Sequence, residues 1–132
     1  MSGIKDLRTL IKNMEPVLNK GVYVFTTVTN NQVVRSETLF EFKEEEGTTI
    51  VLEQSKADEL GLSYEYISSW ITLKVHSSLY AVGLTAAFST ELAKHNISSN
   101  VIAGYYHDHI FVDQKEGQKS IAILANFSKN YS

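Results

Sequence analysis

The sequence predicts an α+β fold of antiparallel sheets with helices packed on one side, and three observations carry that expectation. Between Trp70 and Val112 the pattern reads strand, loop, helix, strand, tight turn, strand, which is a βαββ unit and the greater part of a ferredoxin-like fold. A helical stripe follows, but no strand comes after it, so this unit is one strand short. The earlier part of the chain holds an apparently surplus strand at residues 22–28, and the simplest closure puts that strand in the vacant place. Two βαββ units then interlock around one core. Their expected ranges are 1–66, with a helix, a strand, a hairpin and a short helix, and 67–132, completed by the strand from the first half.

In order, Leu7, Leu10, Ile11 and Met14 recur at i, i+3, i+4 and i+7, an amphipathic helix that Pro16 stops at Glu15. Residues 22–28 are rich in β-branched and aromatic side chains with apolar groups on both faces, a central strand. Asn30 and Asn31 mark a turn. Residues 39–43 alternate, with Phe40 and Phe42 on one face. Glu44, Glu45, Glu46 and Gly47 turn the chain, and 48–52 return as the hairpin partner. Ser55 is expected to cap a short helix, with Asp58 in the capping-box position and Gly61 at the end.

Tyr64 and Tyr66 lead into a strand in which Ile71, Leu73 and Val75 share one buried face. Leu84, Phe88 and Leu92 line one side of a helix expected over 81–95, closed by Asn96. A strand is expected over 97–105, then a turn at His107 and Asp108, then Ile110, Phe111 and Val112 returning antiparallel. The last helix is expected over 115–130, with Ile121, Leu124, Ala125 and Phe127 on its stripe.

Composition narrows the function classes. A chain of 132 residues at 43% hydrophobic can bury a core, and its net charge of −3 argues against a nucleic-acid partner. Zero cysteines exclude disulfides, thiolate zinc sites and cysteine nucleophiles. No apolar run approaches the ~20 residues of a membrane span. The N-terminus lacks an apolar signal core, so a cytoplasmic location is expected.

Two clusters could carry chemistry. In the loop from His76 to Gly83, Ser77 and Ser78 precede a helix whose N-terminal N–H groups suit a carboxylate, and Gly83 lets backbone approach closely. Those serines could bind a ligand or simply cap the helix. His107 and His109 face one way in extended chain and could grip a metal with His76, but the segment reads as a hairpin tip in which Asp108 supplies turn chemistry. The structural turn is the reading taken, with no metal and no cofactor. The glutamates at 44–46 read as a solvated hairpin tip. Ser77 or Ser78 with His76 and Asp108 has the residue types of a hydrolase triad, yet sequence neighbours rarely offer the geometry, and no Gly-x-Ser-x-Gly or phosphate loop occurs.

Two blocks carry a family resemblance: Val75-His76-Ser77-Ser78-Leu79 with Val82-Gly83-Leu84-Thr85-Ala86-Ala87, and Tyr105-Tyr106-His107-Asp108-His109 with Phe111-Val112. They resemble the small, free-standing ACT-domain proteins, relatives of the amino-acid-binding regulatory half of aspartate kinase. Gly21-Val22-Tyr23-Val24-Phe25 and Glu46-Gly47-Thr48-Thr49 extend the likeness more loosely. The resemblance implies two interlocked ACT-like units and an effector site at His76, Ser77, Ser78, Leu79, Val82, Gly83 and Leu84, joined by Asn100, Val101 and Ile102. The family's usual Asp-x-Pro-Gly approach to the helix is absent, replaced by Leu79-Tyr80-Ala81-Val82-Gly83. Trp70, Tyr80 and Tyr105 look too large to stay in water, so a homo-oligomer is expected. The function expected is a non-catalytic regulatory module binding an amino acid effector. A ligand-free interaction module and a histidine metalloprotein are the alternatives.

Overall fold

The computed structural model describes residues 3, 5–29 and 35–132. In chain order the elements are α1 (Leu7–Asn13), β1 (Glu15–Leu18), β2 (Tyr23–Val28), β3 (Phe40–Lys43), β4 (Thr48–Glu53), α2 (Gln54–Glu59), β5 (Ile67–Lys74), α3 (Leu84–Ala93), β6 (Asn100–Ala103), β7 (Asp108–Asp113) and α4 (Gly117–Asn130). Short 3-10 turns lie at Arg35–Glu37 and Gln114–Glu116. The fold is α+β and antiparallel in its paired strands, of ferredoxin-like type. Its residues divide into two units, Met1–Lys20 with Ser69–Ser132, and Gly21–Ser68.

In the first unit the strands run β1, β5, β7, β6. Set against strand–helix–strand–strand–helix–strand, β5, α3, β6, β7 and α4 supply five pieces, and β1 is the sixth. Along residues 71–74 of β5 the paired strand is β1, with Leu18 opposite Ile71 and Pro16 opposite Leu73, where the run 22–28 was expected; that run meets β5 only at Ile67 and Ser68. Pro16 lacks the N–H that a two-sided strand needs, and β1 pairs on one side only, with β5. Helix α1 starts where Asp6 accepts the Thr9 N–H at 3.0 Å. It ends at Asn13, where Ser128 of α4 donates to the Ile11 carbonyl at 2.6 Å. Leu10, Ile11, Ile71, Leu73, Phe88, Leu92, Ile110, Val112 and Leu124 make a fully buried core between these helices and one face of the strands.

Local chemistry moves several expected boundaries. Helix α3 spans Leu84–Ala93, shorter than 81–95, because Gly83 holds a left-handed φ of 99° that no helix continues through. At its other end Asn96, with φ of 60°, lets the Ile97 N–H return to the Leu92 carbonyl at 3.1 Å, as expected of a closing Asn. Strand β6 is four residues, not the nine of 97–105. The tight turn is Gly104–His107, closed by the Gly104 N–H on the His107 carbonyl at 2.9 Å, and Asp108 is already in β7. Helix α4 starts at Gly117 after a 3-10 turn, with Ser120, Leu124 and Ser128 buried and Ala125 exposed.

In the second unit the order is β3, β4, β2, followed by the first two residues of β5 beside Val24 and Tyr23. The expected hairpin forms, with Phe42 opposite Thr49, and Phe40 and Phe42 stack at 6.3 Å. Val24, Val28, Ile50, Leu52 and Ala57 form its core. Helix α2 begins straight from β4, so its N-cap is Glu53 and Ser55 lies inside the helix without capping it. Asp58 instead accepts the Tyr64 hydroxyl at 2.6 Å, and Gly61 ends the helix at a left-handed φ of 69°. The Asn30–Asn31 turn lies outside the described residues.

Candidate functional site

Between β5 and α3 the chain makes a tight loop over 76–83. Ser78 organises it: its hydroxyl accepts the Tyr80 N–H at 3.0 Å, and its carbonyl accepts the Ala81 N–H at 2.9 Å. Neither Ser77 nor Ser78 caps α3, whose N-cap is Gly83 with no side-chain bond. Among the described residues, no side chain caps the first-turn N–H groups of Leu84, Thr85 and Ala86 at the positive end of the helix.

That helix end opens onto a pocket of about 180 Å³. Ser77, Ser78, Leu79 and Ala81 form one wall, and Gly83, Leu84 and Thr85 another. Ala103 and Asp108, directly paired across β6 and β7, close it. Among the described residues neither the Ser77 hydroxyl nor the Asp108 carboxylate has a hydrogen-bond partner, although both residues are at least nine-tenths buried. Burial raises the Asp108 pKa above the ordinary carboxylate value.

A second hollow of about 240 Å³ lies on the outer side of the loop, between His76, Tyr80 and Tyr105. The N-terminal segment covers part of it. A Cβ on Gly3 would come within 2.6 Å of the His76 carbonyl oxygen, and Lys5 places its ammonium 5.4 Å from the centre of the Tyr80 ring. His76 packs on Tyr106 at 5.4 Å, and Tyr105 meets Tyr106 edge-on at 5.0 Å. Leu79, Tyr80, Val82, Tyr105 and Tyr106 are exposed around these openings, while Trp70 is half-buried.

Of the residues expected at an effector site, the structure brings Ser77, Ser78, Leu79, Gly83 and Leu84 to the inner pocket. His76 lines the outer hollow, and Val82 points into solvent. Asn100, Val101 and Ile102 lie on β6 but line neither opening; their neighbour Ala103 does. His107 and His109 do not form a metal cluster with His76, and no group of three or more potential metal ligands occurs among the described residues. His109 instead accepts from Trp70.

Sequence reasoning missed Asp108, which it assigned to a turn. The signal was present: Asp108, Ile110 and Val112 alternate, so the carboxylate lies on the apolar face of β7.

Residues 2–69 match the ACT domain family, and residues 65–126 match an ACT domain a second time. No curated protein matches the chain. Among solved structures, a Vibrio cholerae protein of unknown function, described as a possible transport protein, is 50% identical over 96% of this chain and 99% of its own, at a TM-score of 0.82. An Agrobacterium tumefaciens protein shares the fold at 14% identity and a TM-score of 0.65, over 87% of this chain and 89% of its own. So does E. coli aspartokinase III, solved with aspartate and ADP, at 14% identity and a TM-score of 0.62, over 87% of this chain and 34% of its own. No helix among the described residues is long and apolar enough to cross a membrane. With the two ACT-domain matches in tandem along most of its length, this chain belongs to the ACT-domain family.

Proposed function

We propose that this protein is a non-catalytic regulatory module that binds a free amino acid in the pocket between the 76–83 loop and the start of α3. The observation that carries the reading is the uncapped N-terminus of α3, opening onto a pocket in which the buried Ser77 hydroxyl and Asp108 carboxylate have no hydrogen-bond partner among the described residues. A ligand carboxylate would take the N–H groups of Leu84 to Ala86, and Ser77 would supply a hydroxyl. Family membership supports the same reading. The ligand acts by differential affinity for two states of assembly, either of this chain with its copies or with a separate regulated protein. A cytoplasmic location fits that role. We also read the chain as two ACT-like halves, 1–66 and 67–132, with β1 the strand lent by the first to the second.

The test is thermal melting against each of the twenty amino acids at millimolar concentration. A ligand at a hundred times its Kd stabilises by about 2.7 kcal/mol, a shift of several degrees for a chain of this size. One amino acid should move the curve, and Ser77→Ala should shrink the shift. Twenty flat curves would sink the proposal. A second reading, an interaction module without ligand, is favoured by the exposed Leu79, Tyr80, Val82, Tyr105 and Tyr106 around the openings. Flat melts from a stable homo-oligomer would support it.

A further inference from the structure

We propose that Asp108 recognises the ligand's ammonium group, so that the pocket selects a zwitterion, with carboxylate and primary ammonium on one carbon, over a simple organic anion. This rests on the amino-acid reading above and deepens it.

The start of α3 presents the positive end of a ten-residue helix to the pocket. Asp108 brings a carboxylate to the same space, and no lysine or arginine lines it. One wall therefore attracts an anion and the other repels it. A molecule carrying both charges satisfies both walls at once.

Asp108 is also badly placed for any purely structural role. It is 8% exposed, on the apolar face of β7 beside Ile110 and Val112, with no hydrogen bond among the described residues. A carboxylate left that way is destabilising, and burial raising its pKa expresses the same cost. Among the described residues, the groups that usually retain a buried carboxylate, an arginine, a capped helix or a turn, are all missing from it. The turn is closed by backbone at Gly104 and His107 instead. Opposite Asp108 stands Ala103, whose methyl leaves room in front of the carboxylate. The pocket's volume of about 180 Å³ lies below the roughly 300–1,000 Å³ of drug-sized sites, which suits a single small metabolite.

The experiment is calorimetric titration of the full chain with the twenty L-amino acids, and then with the 2-hydroxy acid that matches each binder. The hydroxy acid keeps the carboxylate and side chain but carries no ammonium. The wild-type protein should bind the amino acid at least about tenfold more tightly than its hydroxy acid, and Asp108→Asn should bring the two within about threefold. Equal affinity of the wild-type protein for both compounds overturns the proposal, and so does undiminished discrimination by Asp108→Asn. Should Asp108→Asn fail to fold, Asp108→Ser takes its place, with the same loss of discrimination expected and undiminished discrimination overturning the proposal. Absence of binding by all twenty overturns the amino-acid reading itself and this inference with it, an outcome distinct from binding without discrimination.

Discussion

Trp70 donates its indole N–H to Nδ1 of His109 at 3.0 Å, with the Thr72 hydroxyl 3.1 Å from the same nitrogen. An indole nitrogen can only donate, so Nδ1 is an unprotonated acceptor and the proton of the neutral ring sits on Nε2. Asn19, just after β1, adds its amide to the Thr72 hydroxyl at 3.0 Å and to the Trp70 carbonyl at 3.2 Å. Neighbouring strands are thus tied by a polar chain that requires His109 to stay neutral.

The first prediction follows from that neutrality. Burial lowers the His109 pKa below its ordinary 6.5, and a positive charge on His107 pushes the same way. The unfolded chain therefore takes up this proton at a pH where the folded chain does not. Stability from this group is complete above the ordinary value, falls as the pH drops through the window beneath it, and levels off below the folded-state pKa. Melting temperature should fall between about pH 7 and about pH 5, and fall less in His109→Gln, whose amide oxygen accepts from Trp70 without titrating. Parallel curves for the two proteins would contradict the assignment.

Asp108 gives a prediction of opposite sign. Its folded-state pKa is raised by burial, so the folded chain holds a proton that the unfolded chain has released. Stability then falls as pH rises from the ordinary carboxylate value through the folded one, and stays lower at neutral pH. Asp108→Asn without ligand should melt above the wild-type protein at neutral pH, the gap closing in acid. Such a gain, beside a loss of ammonium selectivity, is the stability–function trade expected of a residue kept for binding.

Two serines on one helix should respond in opposite directions. Ser128 donates to the Ile11 carbonyl at 2.6 Å, with the Lys12 and Met14 carbonyls at 3.3 and 3.2 Å, and so closes the C-terminal end of α1. Ser128→Ala leaves the Ile11 carbonyl only the long bond from the Met14 N–H at 3.4 Å and should cost about 0.5–1.5 kcal/mol in urea unfolding. Ser120 is fully buried, and its hydroxyl has no partner among the described residues. Ser120→Ala removes that unpaired group and should be neutral or stabilising.

Gly83 joins backbone geometry to the pocket. Its φ of 99° is one that side-chain-bearing residues rarely adopt, and an added Cβ would sit 3.1 Å from a Leu7 methyl. Gly83→Ala should destabilise by about 1–2 kcal/mol through the left-handed backbone, and should weaken amino-acid binding by tilting the first turn of α3. Circular dichroism melts with and without ligand separate the two effects.

Strands and helices with strong periodicity were readable before any coordinates. Ile71 and Leu73, and Leu84, Phe88 and Leu92, sit where their spacing put them, because burial of an apolar stripe decides them, and Phe40 and Phe42 share the expected face of β3 although Phe42 is exposed. What the spacing could not show was short or one-sided. Strand β1 is four residues led by Glu15 and Pro16, and it exists because β5 pairs with it across more than fifty residues of chain. Loop 76–83 was legible as a candidate site through its serines and Gly83, but their structural roles were not. Ser78 serves the loop's own turn, and the helix starts later than its apolar residues suggest. Asp108 was overlooked because Asp beside a His-rich turn has a familiar local explanation, although it alternates with Ile110 and Val112; its pairing with Ala103 places it in β7.

The account turns on a ligand carboxylate seated on the first turn of α3. Amide nitrogen–proton NMR spectra of the labelled protein, recorded as each of the twenty amino acids is added, test that seat directly. The prediction is that one amino acid moves the Leu84, Thr85 and Ala86 amides in a saturable way, with Asp108 moving alongside them. Saturable shifts elsewhere that leave those three amides still, or no saturable shift with any of the twenty, would contradict it.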